Sequence, residues 1–116
     1  MFQVRKVEDA SFDGVVMRLE GNCDLVGGGV LEQKLTFLSA GRPQRVVFDL
    51  ETLEFIGSFG IGQLVMFNKG LKVNGGKVAL ARVSDGIHQA LKFSRLTDMF
   101  IVHPTVDEAK AALAAV

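Results

Sequence analysis

Apolar and polar positions alternate approximately from Phe2 to Val7, as they do in a half-exposed edge strand. Ser11 to Gly14 has turn chemistry, and Val15-Val16-Met17-Arg18-Leu19 reads as a second strand, so the short link predicts an antiparallel hairpin. Gly21-Asn22-Cys23-Asp24 is expected to break that strand. Asp24 can cap a helix over about residues 26–40, where Val30, Leu31, Lys34, Leu35 and Leu38 form a stripe at helical spacing. Gly27-Gly28-Gly29 weakens the start of this helix, since each glycine costs about 0.5–1 kcal/mol relative to alanine. Gly41-Arg42-Pro43 ends it.

The run Val46-Val47-Phe48-Asp49-Leu50 is nearly all apolar, as expected of a strand covered on both faces. Residues 51–58 read as a loop. A second helix is predicted over residues 59–73, with Ile61, Leu64, Val65, Asn68 and Leu71 along one side and Asn74-Gly75-Gly76 as its stop. Lys77 to Ala81 is the next strand. Ser84 or Asp85 caps a third helix reaching about Ser94, and Met99 to Val102 makes the last strand. Thr105-Val106-Asp107-Glu108 fits a capping box that opens a final helix to about Ala115. The order is β-β-α-β-α-β-α-β-α. Strands alternating with helices through short links pair in parallel by right-handed crossovers. The prediction is an α/β fold with a mixed, mostly parallel sheet and about four helices, as one domain over residues 1–116.

Composition narrows the function classes. Thirteen basic and thirteen acidic residues cancel, and no basic stripe marks a nucleic-acid face, so direct DNA or RNA contact is not expected. No segment approaches the roughly 20 apolar residues that cross a bilayer, and Met1 to Asp13 has no apolar run resembling a signal peptide. Cys23 is the only cysteine, which rules out an internal disulfide and reads as a small buried hydrophobe. A cytoplasmic location is expected.

Catalytic and cofactor patterns fail on spacing. Gly57-Ser58-Phe59-Gly60 is no nucleophile elbow, because Ile56 stands where that motif needs glycine. Gly57, Gly60 and Gly62 lack dinucleotide spacing, and Gly75-Gly76-Lys77 lacks the upstream glycine and following Ser/Thr of a P-loop. His88 and His103 lie on different elements with no second ligand near either, so no metal site is expected. No catalytic residue, cofactor or metal is predicted, and the chain is read as a binding protein.

One segment remains, from Phe48 to Gly62, in which a buried strand feeds a loop that delivers Ser58 to the start of a helix. By chemistry alone Ser58 is a helix N-cap or a modifiable hydroxyl. The segment resembles the signature of STAS domains (sulphate transporter and anti-sigma factor antagonist), which in bacterial antagonists reads apolar-x-Asp-Ser-Ser/Thr-Gly-apolar-Gly. Leu19-Glu20-Gly21-Asn22-Cys23-Asp24 resembles the family's Gly-Glu-Leu-Asp stretch, and Asn74-Gly75-Gly76-Lys77-Val78 resembles its Gly-Gly turn. Phe93 to Ile101 resembles its ending of the third helix. The resemblance spans essentially the whole chain.

The resemblance implies an anti-sigma factor antagonist: a protein that binds an anti-sigma factor with serine-kinase activity and is released when that kinase phosphorylates the serine after the signature Asp. A phosphatase reverses the step. That serine falls on Ser58, and the implied partner contacts are Asn22, Asp24, Gly57, Ser58, Phe59, Gly60 and Ile61, with Asp49 at the same rim or in a loop hydrogen bond. The chain departs from the signature at Gly57, which replaces the Asp, and at Phe59, which replaces the second hydroxyl residue. Phe59 either turns inward over the helix start or stands out as an aromatic anchor. The alternatives are a STAS scaffold or subunit of a signalling or transport complex that is not phosphorylated, and a module that senses a small ligand or nucleotide.

Overall fold

The computed structural model describes residues 1–93 and 99–114. Ten elements follow in order: β1 (Phe2–Val7), β2 (Val15–Cys23), α1 (Leu25–Ala40), β3 (Arg45–Asp49), β4 (Leu53–Ile56), α2 (Ser58–Val73), β5 (Lys77–Ala81), α3 (Asp85–Phe93), β6 (Ile101–His103) and α4 (Val106–Ala114). The strands form one sheet in the order β1-β2-β3-β5-β6, with β4 also paired to β2. Among the described residues, β1 and β2 run antiparallel and every other pairing is parallel. The predicted α/β class and mixed sheet are present.

Alternating side chains of the strands separate two apolar layers. Met17, Leu19, Val46, Phe48, Val78 and Leu80 pack beneath α1, α2 and α3. Val16, Val47, Ala79 and Ala81 face α4 through Ala109 and Leu113. The ring of Phe67 meets Phe48 edge-on at 5.6 Å between centroids.

Two expectations need correction, and they share one cause. The break expected at residues 21–24 is a bulge: β2 runs on to Cys23, with its register shifted between Gly21 and Asn22. Residues 51–58 are not all loop, because Leu53–Ile56 forms β4. Gly21 adopts φ +89°, and a Cβ there would sit 2.0 Å from the Met1 carbonyl oxygen, so the position demands glycine. The bulge re-aims β2 away from β3, its partner over Val15–Arg18, and onto β4, its partner over Gly21–Cys23.

Smaller shifts occur at the ends of elements. The last strand covers Ile101–His103 instead of Met99–Val102, because these residues pair with Ala79–Ala81 while Phe100 turns into the core. Asp24 caps α1 as expected, its carboxylate accepting from the Gly27 amide at 2.9 Å. Ser84 and Thr105 accept from the Ile87 and Glu108 amides, at 3.3 and 3.1 Å. Ser94, Ala115 and most of the motif-like stretch from Phe93 to Ile101 lie outside the described residues.

Candidate functional site

The start of α2 is built on the end of β2. Cys23 pairs with Ile56, and the Gly57 amide donates to the Cys23 carbonyl at 2.9 Å, which sets Gly57 and Ser58 beside Asn22 and Asp24. Gly57, not Ser58, is the N-cap of α2, in extended conformation with φ −87° and ψ 177°. Its carbonyl accepts from the Ile61 amide at 3.0 Å. Ser58 is the first helical residue and is exposed. A glycine N-cap offers no side-chain acceptor, so the first-turn amides of α2 have no capping partner.

The glycines around Ser58 differ in their reason. A Cβ on Gly60 would lie 2.7 Å from the Cys23 sulfur and 3.0 Å from Ile56, so this residue allows α2 to approach the sheet. A Cβ on Gly28 would lie 2.6 Å from the Phe59 ring. Within the glycine run of α1, Gly28 is thus the seat for Phe59, Gly27 makes room for Phe2, and a Cβ on Gly29 would meet nothing within 4 Å. A Cβ on Gly57 would make only ordinary contacts, 3.5 Å from Phe55 and 3.7 Å from the Cys23 carbonyl. Neither space nor backbone angle demands glycine at 57.

The predicted contact residues fall into two sets. Asn22, Asp24, Ser58 and Phe59 are exposed and Gly57 is half-buried, all around the α2 start. Gly60 and Ile61 are buried and form its floor. Phe59 combines both readings of its role: the ring seats on Gly28 yet is 36% exposed. The sequence reading missed three apolar neighbours, Leu25 and Val26 in the first turn of α1, each 77% exposed, and Phe55 at 50%. Leu25 lies one turn before Gly28, on the face that meets Phe59. Their signal in the sequence was an apolar pair placed directly after a capping Asp, ahead of the helical stripe.

Asp49 does not join this rim. Its side chain, 0% exposed, points with that of Val47 to the α4 face. Arg82 grips it twice, Nε at 3.0 Å and Nη2 at 2.6 Å, Arg18 donates at 3.2 Å, and the Glu51 amide donates at 3.2 Å. Burial pushes the Asp49 carboxyl up, but the Arg82 pair, the Glu51 amide and Arg18 together hold it below the usual carboxylate range. Arg82 adopts φ +56°, and its Nη1 also donates to Glu51 at 2.9 Å.

Cys23 is buried under Gly60, and desolvation with the nearby Asp24 charge pushes its thiol up to about 11. A protonated buried thiol packs as a hydrophobe. Among the described residues, no three or more His, Cys, Asp or Glu come together in a metal-binding group. No described helix is long and apolar enough to cross a membrane.

Comparison with known proteins agrees with this architecture. An anti-sigma factor antagonist from Mycobacterium paratuberculosis superposes with TM-score 0.83 at 26% identity, over 97% of this chain and 95% of the other. A STAS domain protein from Planctomyces limnophilus gives TM-score 0.75 at 26% identity, over 97% and 98%. The unphosphorylated anti-sigma factor antagonist SpoIIAA shares the fold, with TM-score 0.78 at 23% identity over 100% and 98%. The STAS domain model matches residues 2–109. With the sheet order, the uncapped serine-bearing helix and this match in hand, the chain belongs to the STAS domain family.

Proposed function

We propose that the chain is an anti-sigma factor antagonist that binds an anti-sigma factor with serine-kinase activity through the α2 start, and that phosphorylation of Ser58 cancels the binding. One observation carries the reading: an exposed serine stands at a helix start that has no side-chain cap, on a segment that also exposes Phe55 and Phe59, with Phe59 packed against α1, whose first turn exposes Leu25 and Val26. Apolar groups left out of the core and gathered at one place suit a partner surface. The likeness to antagonists in the family points to the class of partner.

The switch follows from charge. A phosphate on Ser58 adds about −1.5 to −2 charge at neutral pH. Within the chain, the free amides of the first α2 turn and the positive end of the helix dipole would receive it. Against a partner, the same charge would lie near the exposed Phe55 and Phe59 and would have to lose its water. Binding is thus switched without refolding the domain.

Gly57 bears on the same reaction. An Asp there would be an N-cap and would compete for the first-turn amides. With glycine those amides stay free to hold a phosphate on the next residue. The test is phosphate incorporation from ATP in the presence of a serine-kinase anti-sigma factor from the same organism, mapped by mass spectrometry with Ser58→Ala as control. Modification confined to Ser58 and lost in the control supports the switch. No incorporation, under conditions where the kinase labels a known antagonist, refutes it and leaves a STAS scaffold.

A further inference from the structure

Among the described residues β1 pairs with β2 alone and forms one end of the sheet. The Gly21 amide donates to the Thr52 carbonyl, away from β1, while the Asn22 amide turns to the Met1 carbonyl. Backbone groups alternate along a strand. Gln3, Arg5 and Val7 therefore face β2, and the amides and carbonyls of Phe2, Val4 and Lys6 face outward. Such a row of outward groups is a template for another strand.

The helix α1 lies over β1 and β2 and presents an apolar flank beside this edge. A Cβ on Gly27 would meet Phe2 of β1, and one on Gly28 would meet the Phe59 ring of α2, which fixes the two flanks of the helix. At about 100° per residue, Val26, Val30, Gln33 and Phe37 fall within an arc of roughly 60° on the Gly27 side, away from α2. Val26 is 77% exposed and Phe37 85%.

Edge and flank together fit a second copy of the chain. In an antiparallel β1–β1 pair centred on Val4, the two Val4 residues face each other, Phe2 faces Lys6 of the second copy, and Gln3 faces its Arg5. The outward backbone groups then meet and no like charges are opposed, whereas centring on Arg5 or Lys6 would oppose two cations. The two-fold axis of such a pair stands normal to the sheet and places both α1 helices side by side on one face. With strands about 4.8 Å apart, the helix axes come roughly 10 Å apart, near the spacing of packed helices. As the link between the parallel strands β2 and β3, α1 runs in the direction of β1. Phe2 is level with Gly27, and rises of about 3.3 Å per strand residue and about 1.5 Å per helix residue put Val4 level with about residue 31. That is the midpoint of the flank, so Val26 of each copy meets Phe37 of the other. Strand and helix thus share one centre of symmetry.

We infer that the chain forms a symmetric homodimer through the β1 edge and the flank of α1 that carries Val26 and Phe37, with one sheet continuous across both copies. Ser58 and Phe59 lie on the α2 side of α1 and stay open, so the dimer is independent of a partner there.

The experiment is sedimentation equilibrium of the full chain, with Phe37→Glu and Met66→Glu as variants and amide hydrogen exchange at low and high concentration. A monomer–dimer equilibrium is expected between about 1 μM and about 1 mM. Phe37→Glu should weaken it at least about tenfold at an unchanged monomer melting temperature, because the side chain is exposed. Met66→Glu puts the same charge on an exposed position of α2 and should dimerise as the wild type does. The Val4 and Lys6 amides should gain protection as concentration rises. A single monomeric species up to about 1 mM overturns the inference. So does a dimer that Phe37→Glu leaves unchanged, one that Met66→Glu weakens equally, or one whose Val4 and Lys6 amides exchange as fast as in the monomer.

Discussion

The two faces of the sheet treat polarity in opposite ways. On the α4 face, Asp49 is buried and every visible demand of its carboxylate is met within the chain, by Arg18, Arg82 and the Glu51 amide. At the α2 start on the other face, an exposed serine and first-turn amides without a side-chain cap lie near the exposed Phe55 and Phe59. The first region is closed on itself and its energetics belong to folding. The second leaves its groups free, and the interactions they lack are those a partner or a phosphate can make.

Breaking the closed side should cost the most. Arg82→Ala leaves a buried carboxylate with one arginine fewer and is expected to lower stability by about 3 kcal/mol in urea denaturation. Binding at Ser58 should survive in the fraction that stays folded. A loss of less than about 0.5 kcal/mol, the size of an ordinary surface change, would mean that Asp49 is solvated in solution.

Gly60 and Gly57 sharpen the contrast within one site. Gly60→Ala drives a methyl group into Cys23 and Ile56 and should cost about 2 kcal/mol by thermal unfolding. Gly57→Asp meets only ordinary contacts and supplies a side-chain cap, so it should stabilise by a few tenths of a kcal/mol. A destabilised Gly57→Asp would mean that the α2 start is not open as described.

Acid tests the ion pairs. Hydrogen bonds from Lys110 and Ser11 hold the Asp9 carboxyl at about 2, well below its ordinary 3.8. Asp49 is shifted the same way. A depressed carboxylate contributes stability above its unfolded value and loses it as pH falls through the folded one. The melting temperature should therefore decline between about pH 4 and about pH 2, and Asp9→Asn should shallow that decline. Identical slopes in the two proteins would remove Asp9 from the account.

How much of this was legible in the sequence depended on whether neighbours in the chain were neighbours in space. Strands such as Phe2–Val7 and Lys77–Ala81 and the caps at Asp24 and Thr105 were readable, because alternation, continuous apolar runs and capping are local. The β4 strand was not, since Leu53-Glu54-Phe55-Ile56 has no alternation and its pairing depends on a bulge thirty-odd residues earlier. Gly21 looked like a strand break for the same reason: its positive φ continues the strand in a new direction. The glycines of α1 read as weakness until Phe59 was seen seated on Gly28. Ser58 was found by motif, yet its role as N-cap went to Gly57. Of the two readings of Asp49, the loop hydrogen bond is the one present, from the Glu51 amide, while its two arginines, Arg18 and Arg82, were not legible because they lie far apart in the chain.

The proposed switch makes the α2 start the partner surface and has a negative charge on Ser58 close it. The decisive measurement is calorimetric titration of a serine-kinase anti-sigma factor from the same organism with the wild-type chain, Ser58→Asp and Phe59→Ser. Tight binding by the wild type is expected, with a loss of about a hundredfold or more for Ser58→Asp, the equivalent of roughly 2.8 kcal/mol, and a smaller loss for Phe59→Ser. Equal affinities for all three, with the variants folded, would contradict it and move the partner surface elsewhere on the domain.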